Sequence, residues 1–352
     1  MWMPATSGWL FWLRTFSGLA WTGVYLFFVL SGFLIGGVLL QHRTDSNYFS
    51  VFYTRRALRI LPLYFGLLAL FFTLGRTSLL GASPIFANSE IPSWNYWLLI
   101  QNFPMAASGQ WGAAPLSITW SVALEEQFYL FLPLLIWIVP PRAHLAAFIL
   151  MAATGPIFRA VAPLAYSPFL MPGAIEALFA GTILAWAFSR RQALFRDWRG
   201  RVAALALLIV GGAGMALMLM HVRLGVFQVT LITMFWSGFL WLVLSALGTG
   251  WTALLRGRFL CAVGAISYGV YLFHQLIYNL FFIAFTGGPP RHEVGAQGLL
   301  IASVSFVGVL LVAGFSYWAM ESRLIAIGRK FRYAAKKQQS LVPSPLVEKP
   351  SV

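Results

Sequence analysis

The segment that decides the fold is residues 21–40, WTGVYLFFVLSGFLIGGVLL, a run without a single charged side chain. An α-helix of about 20 apolar residues crosses the roughly 30 Å hydrocarbon core of a bilayer. Eight further runs of similar length follow, separated by charged or Gly/Pro-containing breaks. They lie near 57–74, 120–139, 144–161, 171–188, 202–220, 227–247, 263–285 and 298–320. The sequence therefore predicts an all-α polytopic membrane protein, a bundle of about nine transmembrane helices.

The composition supports this class and excludes others. Of the 352 residues, 60% are hydrophobic and only 9% are charged, which is too apolar for a water-soluble globule. Long apolar runs also exclude a β-barrel, whose strands are short and alternate in polarity. The single cysteine, Cys261, cannot form an internal disulfide. Because no CxxC or Cys/His ligand spacing is present, neither structural zinc nor another metal site is expected.

The net charge of +15 reflects membrane topology, because Lys and Arg are confined to loops and a tail. They form no stripe on a folded basic domain, so no nucleic acid partner is expected. Connections 41–56, 140–143, 189–201 and 248–262 and the C-terminal tail carry nearly all of them. Connections 75–119, 162–170, 221–226 and 286–297 carry only Arg76, Arg223 and Arg291. The positive-inside rule therefore places the first set, and the C-terminus, in the cytoplasm.

The chain is predicted to divide into a transmembrane domain, residues 1–330, and a basic, disordered cytoplasmic tail, residues 331–352. Nine spans and a cytoplasmic C-terminus place the N-terminus outside, yet the start has no basic region followed by an apolar core and cleavage site. Three explanations stay open. One helix is missing upstream of Met1, the N-terminus is external, or residues 9–20 form a weakly hydrophobic helix.

Ionisable residues inside the spans each require a reason, because a charge at mid-bilayer costs on the order of 2.5–3.5 kcal/mol. Glu125, Glu126 and Glu176 lie about a turn and a half inside helices that enter from the outside, so they are expected in the outer half. His274 lies near the middle of its span, and Ser31 near the middle of the first. Together they predict an outward-opening polar cavity with a titratable imidazole.

Simpler explanations exist for each of these residues. Glu125 or Glu126 could face lipid headgroups or a helix N-terminus, and adjacent residues cannot face one partner because they differ by about 100° around a helix. Water admitted by the Pro-Gly pair at 172–173 could solvate Glu176. His274, among neighbouring tyrosines, could be a hydrogen-bonded packing element.

An arginine cluster, Arg55, Arg56 and Arg59, opens the second predicted span. A helix N-terminus carries partial positive charge, so three arginines there predict a bound anion. Arg56 and Arg59 are three residues apart and share a face that could grip phosphate oxygens. Lipid phosphate is the alternative ligand.

The longest outer connection, 75–119, contains Trp94, Trp97 and Trp111, and Trp120 starts the next helix. Such aromatics are usually membrane-interface residues, although they could also stack on sugar rings. The run 94–103, WNYWLLIQNF, is too short to span, so it is expected to lie in the interface or to re-enter the membrane.

Four segments resemble the bacterial acyltransferase-3 family of membrane O-acyltransferases. They are 23–35 (GVYLFFVLSGFLI), 52–64 (FYTRRALRILPLY), 120–133 (WSVALEEQFYLFLP) and 267–274 (SYGVYLFH). Each is weak alone, but all four occur in family order. The resemblance implies a ten-helix bundle that moves an acyl group, often acetyl from cytoplasmic acetyl-CoA, to a hydroxyl of an extracytoplasmic carbohydrate or glycolipid.

In the family's pattern, Arg56 and Arg59 match an RxxR pair associated with the donor, and Glu125 matches the more characteristic acidic position. One departure concerns the first family helix, whose histidine is thought to be the catalytic base. This chain has no histidine before His42, which falls in a cytoplasmic loop. The start is therefore truncated or the protein is a non-catalytic relative; otherwise His274 or Glu125 would replace that base.

The sequence thus predicts an acyl-CoA-dependent O-acyltransferase of the bacterial plasma membrane, with no bound cofactor. Arg55, Arg56 and Arg59 would hold the donor, and Glu125 and His274 would serve catalysis. Ser31, Glu126, Glu176 and Trp120 would line the acceptor cavity. A transporter or flippase for a lipid-linked sugar is the alternative, although no pair of broken helices or inverted repeat is visible.

Overall fold

The structure, a computed structural model, describes residues 18–75, 91–162, 167–288 and 296–334. Within these ranges nine helical segments are long and apolar enough to span a membrane, and no β-strand occurs. The helices are α1 (Gly23–His42), α2 (Tyr48–Leu74), α3 (Thr119–Ile138), α4 (His144–Val161), α5 (Met171–Arg190), α6 (Trp198–Leu219), α7 (Phe227–Ser245), α8 (Arg258–Thr286) and α9 (Ala296–Ser316). The predicted all-α fold with about nine transmembrane helices is confirmed.

The last helix continues beyond its α-helical part. A π-helical turn, Tyr317–Glu321, joins α9 to the helix Ser322–Lys330. Short helices occupy the connections: Ser93–Trp97, Asn102–Ser108, Gln192–Arg196 and Gly250–Leu255.

The beginning of α2 differs from the sequence-based expectation. The helix starts at Tyr48 and not at residue 57, so Arg55, Arg56 and Arg59 lie in its third and fourth turns. Hydropathy missed this start because residues 48–56 are aromatic and polar. The argument that the three arginines crowd a helix N-terminus is therefore wrong, since the N–H groups of its first turn lie about 6–17 Å away along the axis.

Helices α1 and α5 cross at very short range because both carry glycine at the crossing. A Cβ atom on Gly32 would lie 1.8 Å from the carbonyl oxygen of Leu178, and one on Gly181 would lie 2.0 Å from that of Val29. Small residues permit this close approach of transmembrane helices. The crossing also fixes the position of Ser31, the residue before Gly32, relative to α5.

The bundle has two chemically different ends. The arginine-rich end contains the α1–α2 loop, the C-terminus of α3 and the chain after Lys330. There Arg43 donates from Nε to the Ile136 carbonyl at 2.7 Å and from Nη2 to that of Val139 at 3.0 Å. These bonds satisfy carbonyls at the C-terminus of α3, where a positive charge is favourable.

The chain after α9 is held against the same end. Asn47 Nδ2 donates to the Arg332 carbonyl at 2.9 Å, and the Ala334 N–H donates to Asn47 Oδ1 at 2.9 Å. The Tyr333 ring stacks on His42 with centroids 3.9 Å apart. Burial raises the pKa of Tyr333 above its usual value, so the phenol stays neutral. Residues 335–352 of the predicted tail lie outside the described residues.

The opposite end contains the connection before α3. The run 94–103 does not span but forms Ser93–Trp97 and the start of Asn102–Ser108, with Leu99 in the left-handed region at φ 57° between them. Gln101 is fully buried and donates from Nε2 to the Thr119 carbonyl at 2.8 Å. This segment therefore packs against the bundle, and its position relative to the membrane stays a prediction.

Candidate active site

Glu125 forms the centre of a buried polar cluster in the middle of the bundle. Its side chain is 3% exposed, and its Oε1 accepts hydrogen bonds from Ser31 Oγ and Tyr129 OH. Ser31 Oγ and Tyr129 OH are themselves 2.7 Å apart. Glu125 and Tyr129 are four residues apart, which places both on one face of α3. Glu125 lies about a turn and a half from the start of α3, as expected, and its depth in the membrane stays a prediction.

Glu126 does not join this cluster. Its side chain is half-buried, and within the described part of the chain its buried Oε1 has no hydrogen-bond partner. The two adjacent carboxylates therefore face different surroundings, as the 100° rotation per residue requires. Burial and the bonds to Ser31 exclude the lipid-headgroup explanation for Glu125.

The arginine cluster approaches Glu125 through Tyr129. The guanidinium of Arg56 lies over the Tyr129 ring, 5.4 Å from its centroid, which is cation–π distance. The charges of Arg56 and Arg59 both act on the Glu125 carboxylate, and Arg59 also acts on Glu321. The side chain of Tyr129 therefore contacts both the Arg56 guanidinium and the buried acid.

Arg55 has a different environment. Its Nε donates to the Phe331 carbonyl at 2.8 Å, and its guanidinium lies 5.3 Å from the centroid of the Tyr333 ring. Among the described residues, none of the three arginines of the cluster has a carboxylate at ion-pair distance. The three guanidinium groups therefore have no direct ion pair in the described ranges. No group of three or more His, Cys, Asp or Glu residues in the described ranges could hold a metal ion.

A cavity of about 1310 Å³ opens at the opposite end. Trp120, Trp111 and Trp21 contribute to its wall, and His274 lies along it. Ser31, Glu125, Glu126 and Glu176 are not among its lining residues. The expectation of one cavity holding these carboxylates and the imidazole is therefore wrong for this volume, whereas Trp120 and His274 do line it.

His274 presents one ring nitrogen that is free to accept a proton. Its Nδ1 lies 2.6 Å from the Tyr271 carbonyl. A carbonyl can only accept, so Nδ1 carries the hydrogen and Nε2 of the neutral ring keeps its lone pair. Tyr271 in turn hydrogen-bonds to Ser121, one turn before Glu125 on α3. Tyr271 thus ties α8 to α3 one turn before Glu125.

Glu176 belongs to a separate buried ion pair. Arg159 Nη2 lies 2.9 Å from Glu176 Oε1, and both side chains are almost completely buried. Thr230 Oγ1 donates to Glu176 Oε2 at 3.1 Å. The expectation that water solvates Glu176 is therefore wrong, because Arg159 and Thr230 satisfy it.

The family's sequence model, described as an acyltransferase domain, matches residues 1–318. The chain belongs to the acyltransferase-3 family. This confirms the family assignment made from the four motifs. The family match also agrees with the candidate membrane-spanning helices of the fold. No solved structure gave a significant match to the chain.

Relatives in this family include two proteins named O-acetyltransferase OatA, from Staphylococcus aureus strains NCTC 8325 / PS 47 and COL. Each is 36% identical to this chain over 122 residues. The match covers 32% of this chain and 20% of each relative, so the chain spans about a fifth of the length of the relatives it matches.

Two residues of the buried polar groups described above escaped sequence reasoning. Tyr129 was missed because a tyrosine in an apolar helix resembles an ordinary interior residue; its four-residue spacing from Glu125 was the available signal. Arg159 was missed although it is a charge inside the fourth span, which should have predicted a carboxylate partner on a neighbouring helix.

Proposed function

We propose that this protein is a bacterial plasma-membrane O-acyltransferase that moves an acyl group, acetyl in the simplest case, from cytoplasmic acyl-CoA to a hydroxyl of an extracytoplasmic carbohydrate or glycolipid. One observation carries the proposal. Along a single helix, α3, Trp120 lines the cavity at one end, Glu125 lies buried, and Tyr129, halfway along the helix, meets Arg56. Trp120 and Tyr129 are separated by about 14 Å along the axis.

The arginine-rich end suits the nucleotide part of the donor. Acyl-CoA carries several phosphates, and guanidinium groups bind phosphate oxygens through paired, charge-assisted hydrogen bonds. Arg56 and Arg59 have no ion-pair partner among the described residues, so no carboxylate there competes with a phosphate. The acyl end would then extend along α3 towards the cavity.

In the proposed reaction, the acyl carbon exchanges its bond to the CoA sulfur for a bond to the acceptor oxygen. His274 Nε2 takes the proton of the acceptor hydroxyl, and that oxygen attacks the thioester carbonyl carbon. The carbon–sulfur bond breaks, and the CoA thiolate leaves and takes up a proton. Glu125 accepts hydrogen bonds from the hydroxyls of Ser31 and Tyr129 and thereby fixes these two side chains between the donor and acceptor sites.

The experiment uses the protein in proteoliposomes with radiolabelled acetyl-CoA and a bacterial envelope glycan extract as acceptor. Arg59→Ala is expected to weaken acetyl-CoA binding about tenfold, since a charged hydrogen bond contributes roughly 1.5–3 kcal/mol. Glu125→Gln is expected to keep donor binding and lose transfer. Arg199→Ala, at the same end of the bundle, is the matched control and should change neither.

Two results would contradict these roles. If Arg59→Ala bound acetyl-CoA as tightly as the parent, Arg59 would not belong to the donor site. If Glu125→Gln kept near-normal turnover, the buried acid would have no role in transfer. Movement of a lipid-linked sugar across the bilayer without acyl transfer would favour a transporter instead.

A further inference from the structure

The cavity at the opposite end is lined by two guanidinium groups with different electrostatic states. Arg159 is neutralised by Glu176 at 2.9 Å. Arg223 is exposed, and among the described residues no carboxylate lies at ion-pair distance from it and none lines the cavity. The described wall of the cavity therefore carries one uncompensated positive charge, and that charge belongs to Arg223.

Arg159 holds in place the segment that carries Arg223. Its Nε donates to the Val226 carbonyl at 3.0 Å, and its Nη2 donates to Thr230 Oγ1 at 2.9 Å. A third bond, from Nη1, ties it to the Gly173 carbonyl. The buried guanidinium thus fixes the α6–α7 connection to α5, and Arg223 projects from an anchored turn.

The rest of the wall suits a sugar. Trp21, Trp111 and Trp120 offer flat aromatic surfaces, and the side-chain amides of Gln228 and Gln275 can both donate and accept hydrogen bonds. Binding sites for small molecules typically combine such apolar walls with a few polar groups and enclose about 300–1,000 Å³. At about 1310 Å³ this cavity exceeds that range, so it has room for more than one sugar unit.

We propose that this cavity binds an anionic saccharide, with the carboxylate or phosphate of the sugar placed against Arg223. The proposal rests on the proposed function, since it names the acceptor class of the same enzyme. The shared chemistry is a saccharide carrying a negative charge; a uronic acid and a sugar phosphate are its two sources.

The test measures equilibrium binding by saturation-transfer NMR, with the protein in phosphatidylcholine nanodiscs. The probes are glucose, glucuronic acid and glucose 1-phosphate, which share a ring and differ in charge. The parent protein is expected to prefer at least one anionic probe about fivefold over glucose, the strength of a partly exposed ion pair. Arg223→Gln should lose this preference, Arg223→Lys should keep part of it, and Arg199→Gln, at the other end of α6, should keep all of it.

Each outcome has a defined meaning. Preference for glucuronic acid or for glucose 1-phosphate identifies carboxylate or phosphate as the source of the charge. Equal binding of all three probes by the parent, or an unchanged preference in Arg223→Gln, overturns the proposal. Because the parent's preference must also fall as salt is raised, an insensitive preference overturns it without any variant.

A separate assay of acetyl transfer from acetyl-CoA distinguishes this proposal from the one on which it rests. A preference for anionic probes without any acyl transfer would support the proposed saccharide site and refute the proposed enzymatic activity. Acyl transfer without a preference for anionic probes would support the proposed enzymatic activity and refute the proposed saccharide site.

Discussion

Tyr129 shows how one side chain can connect two charged groups of opposite sign. Its hydroxyl donates to Glu125, and the face of its ring lies under the Arg56 guanidinium at 5.4 Å. An aromatic face attracts a cation with roughly 0.5–2 kcal/mol, more when water is excluded. Arg56 is therefore held near the acid without being neutralised by it, which leaves its hydrogen-bond donors available to a phosphate.

Arg159 permits a stability prediction at the same scale. Arg159→Met should leave Glu176 as an unpaired buried charge and destabilise the protein by about 3 kcal/mol or more. The double variant Arg159→Met/Glu176→Leu removes both charges and should recover most of that loss. The measurement is the midpoint of thermal unfolding in detergent, followed by tryptophan fluorescence.

The double variant also acts as the control for lost packing. A double variant no more stable than Arg159→Met would show that the cost comes from the lost bonds to Val226 and Gly173 and not from the stranded carboxylate. Both variants should retain their nine spans, because neither change introduces a charge into a helix.

The α1–α5 crossing is the element on which the buried cluster depends, since it sets where Ser31 meets Glu125. Gly181→Ala would place a methyl group 2.0 Å from the Val29 carbonyl oxygen, and the two helices would have to separate. The expected result is a loss of about 1–3 kcal/mol in stability, as for other overpacked sites, together with lower transfer activity. Unfolding midpoints and transfer rates measure the two effects.

Gly37→Ala is the matched control, because Gly37 also lies where α1 contacts α5. Its added methyl would lie 3.9 Å from the Ala185 Cβ, an ordinary contact. Alanine is also the better helix former, so this variant should be neutral or slightly stabilising. Equal losses in both variants would show that helix α1 does not depend on close approach at Gly181.

The elements show which parts of the structure a sequence can predict. Nine spans follow from hydropathy alone, because the bilayer demands about 20 apolar residues in each. The first turns of α2 do not, because their polar and aromatic residues are accommodated by α3, which accepts hydrogen bonds from Tyr48 and Tyr53, and by the chain around Tyr333. The partners of Ser31 and Glu176 could not be derived either, since a helical pattern does not specify which helix lies opposite.

At the scale of the whole molecule, the proposed reaction requires the two ends of the bundle to face different compartments. The arginine-rich end would face acyl-CoA, and the cavity end would face the acceptor. The charge distribution between the loops predicts this orientation through the positive-inside rule. If the orientation were reversed, the arginine cluster would face the side without acyl-CoA.

The single cysteine allows this orientation to be measured without altering the protein. Cys261 is exposed and lies in the first turn of α8, at the arginine-rich end. A membrane-impermeant maleimide is expected to label it in inside-out vesicles and not in right-side-out vesicles. The reverse pattern is expected for Arg223→Cys in a Cys261→Ser background, because residue 223 lies at the opposite end of the bundle. Labelling of Cys261 from the outside, with Arg223→Cys labelled from the inside, would contradict the predicted orientation. It would place the arginine cluster on the side of the membrane without acyl-CoA.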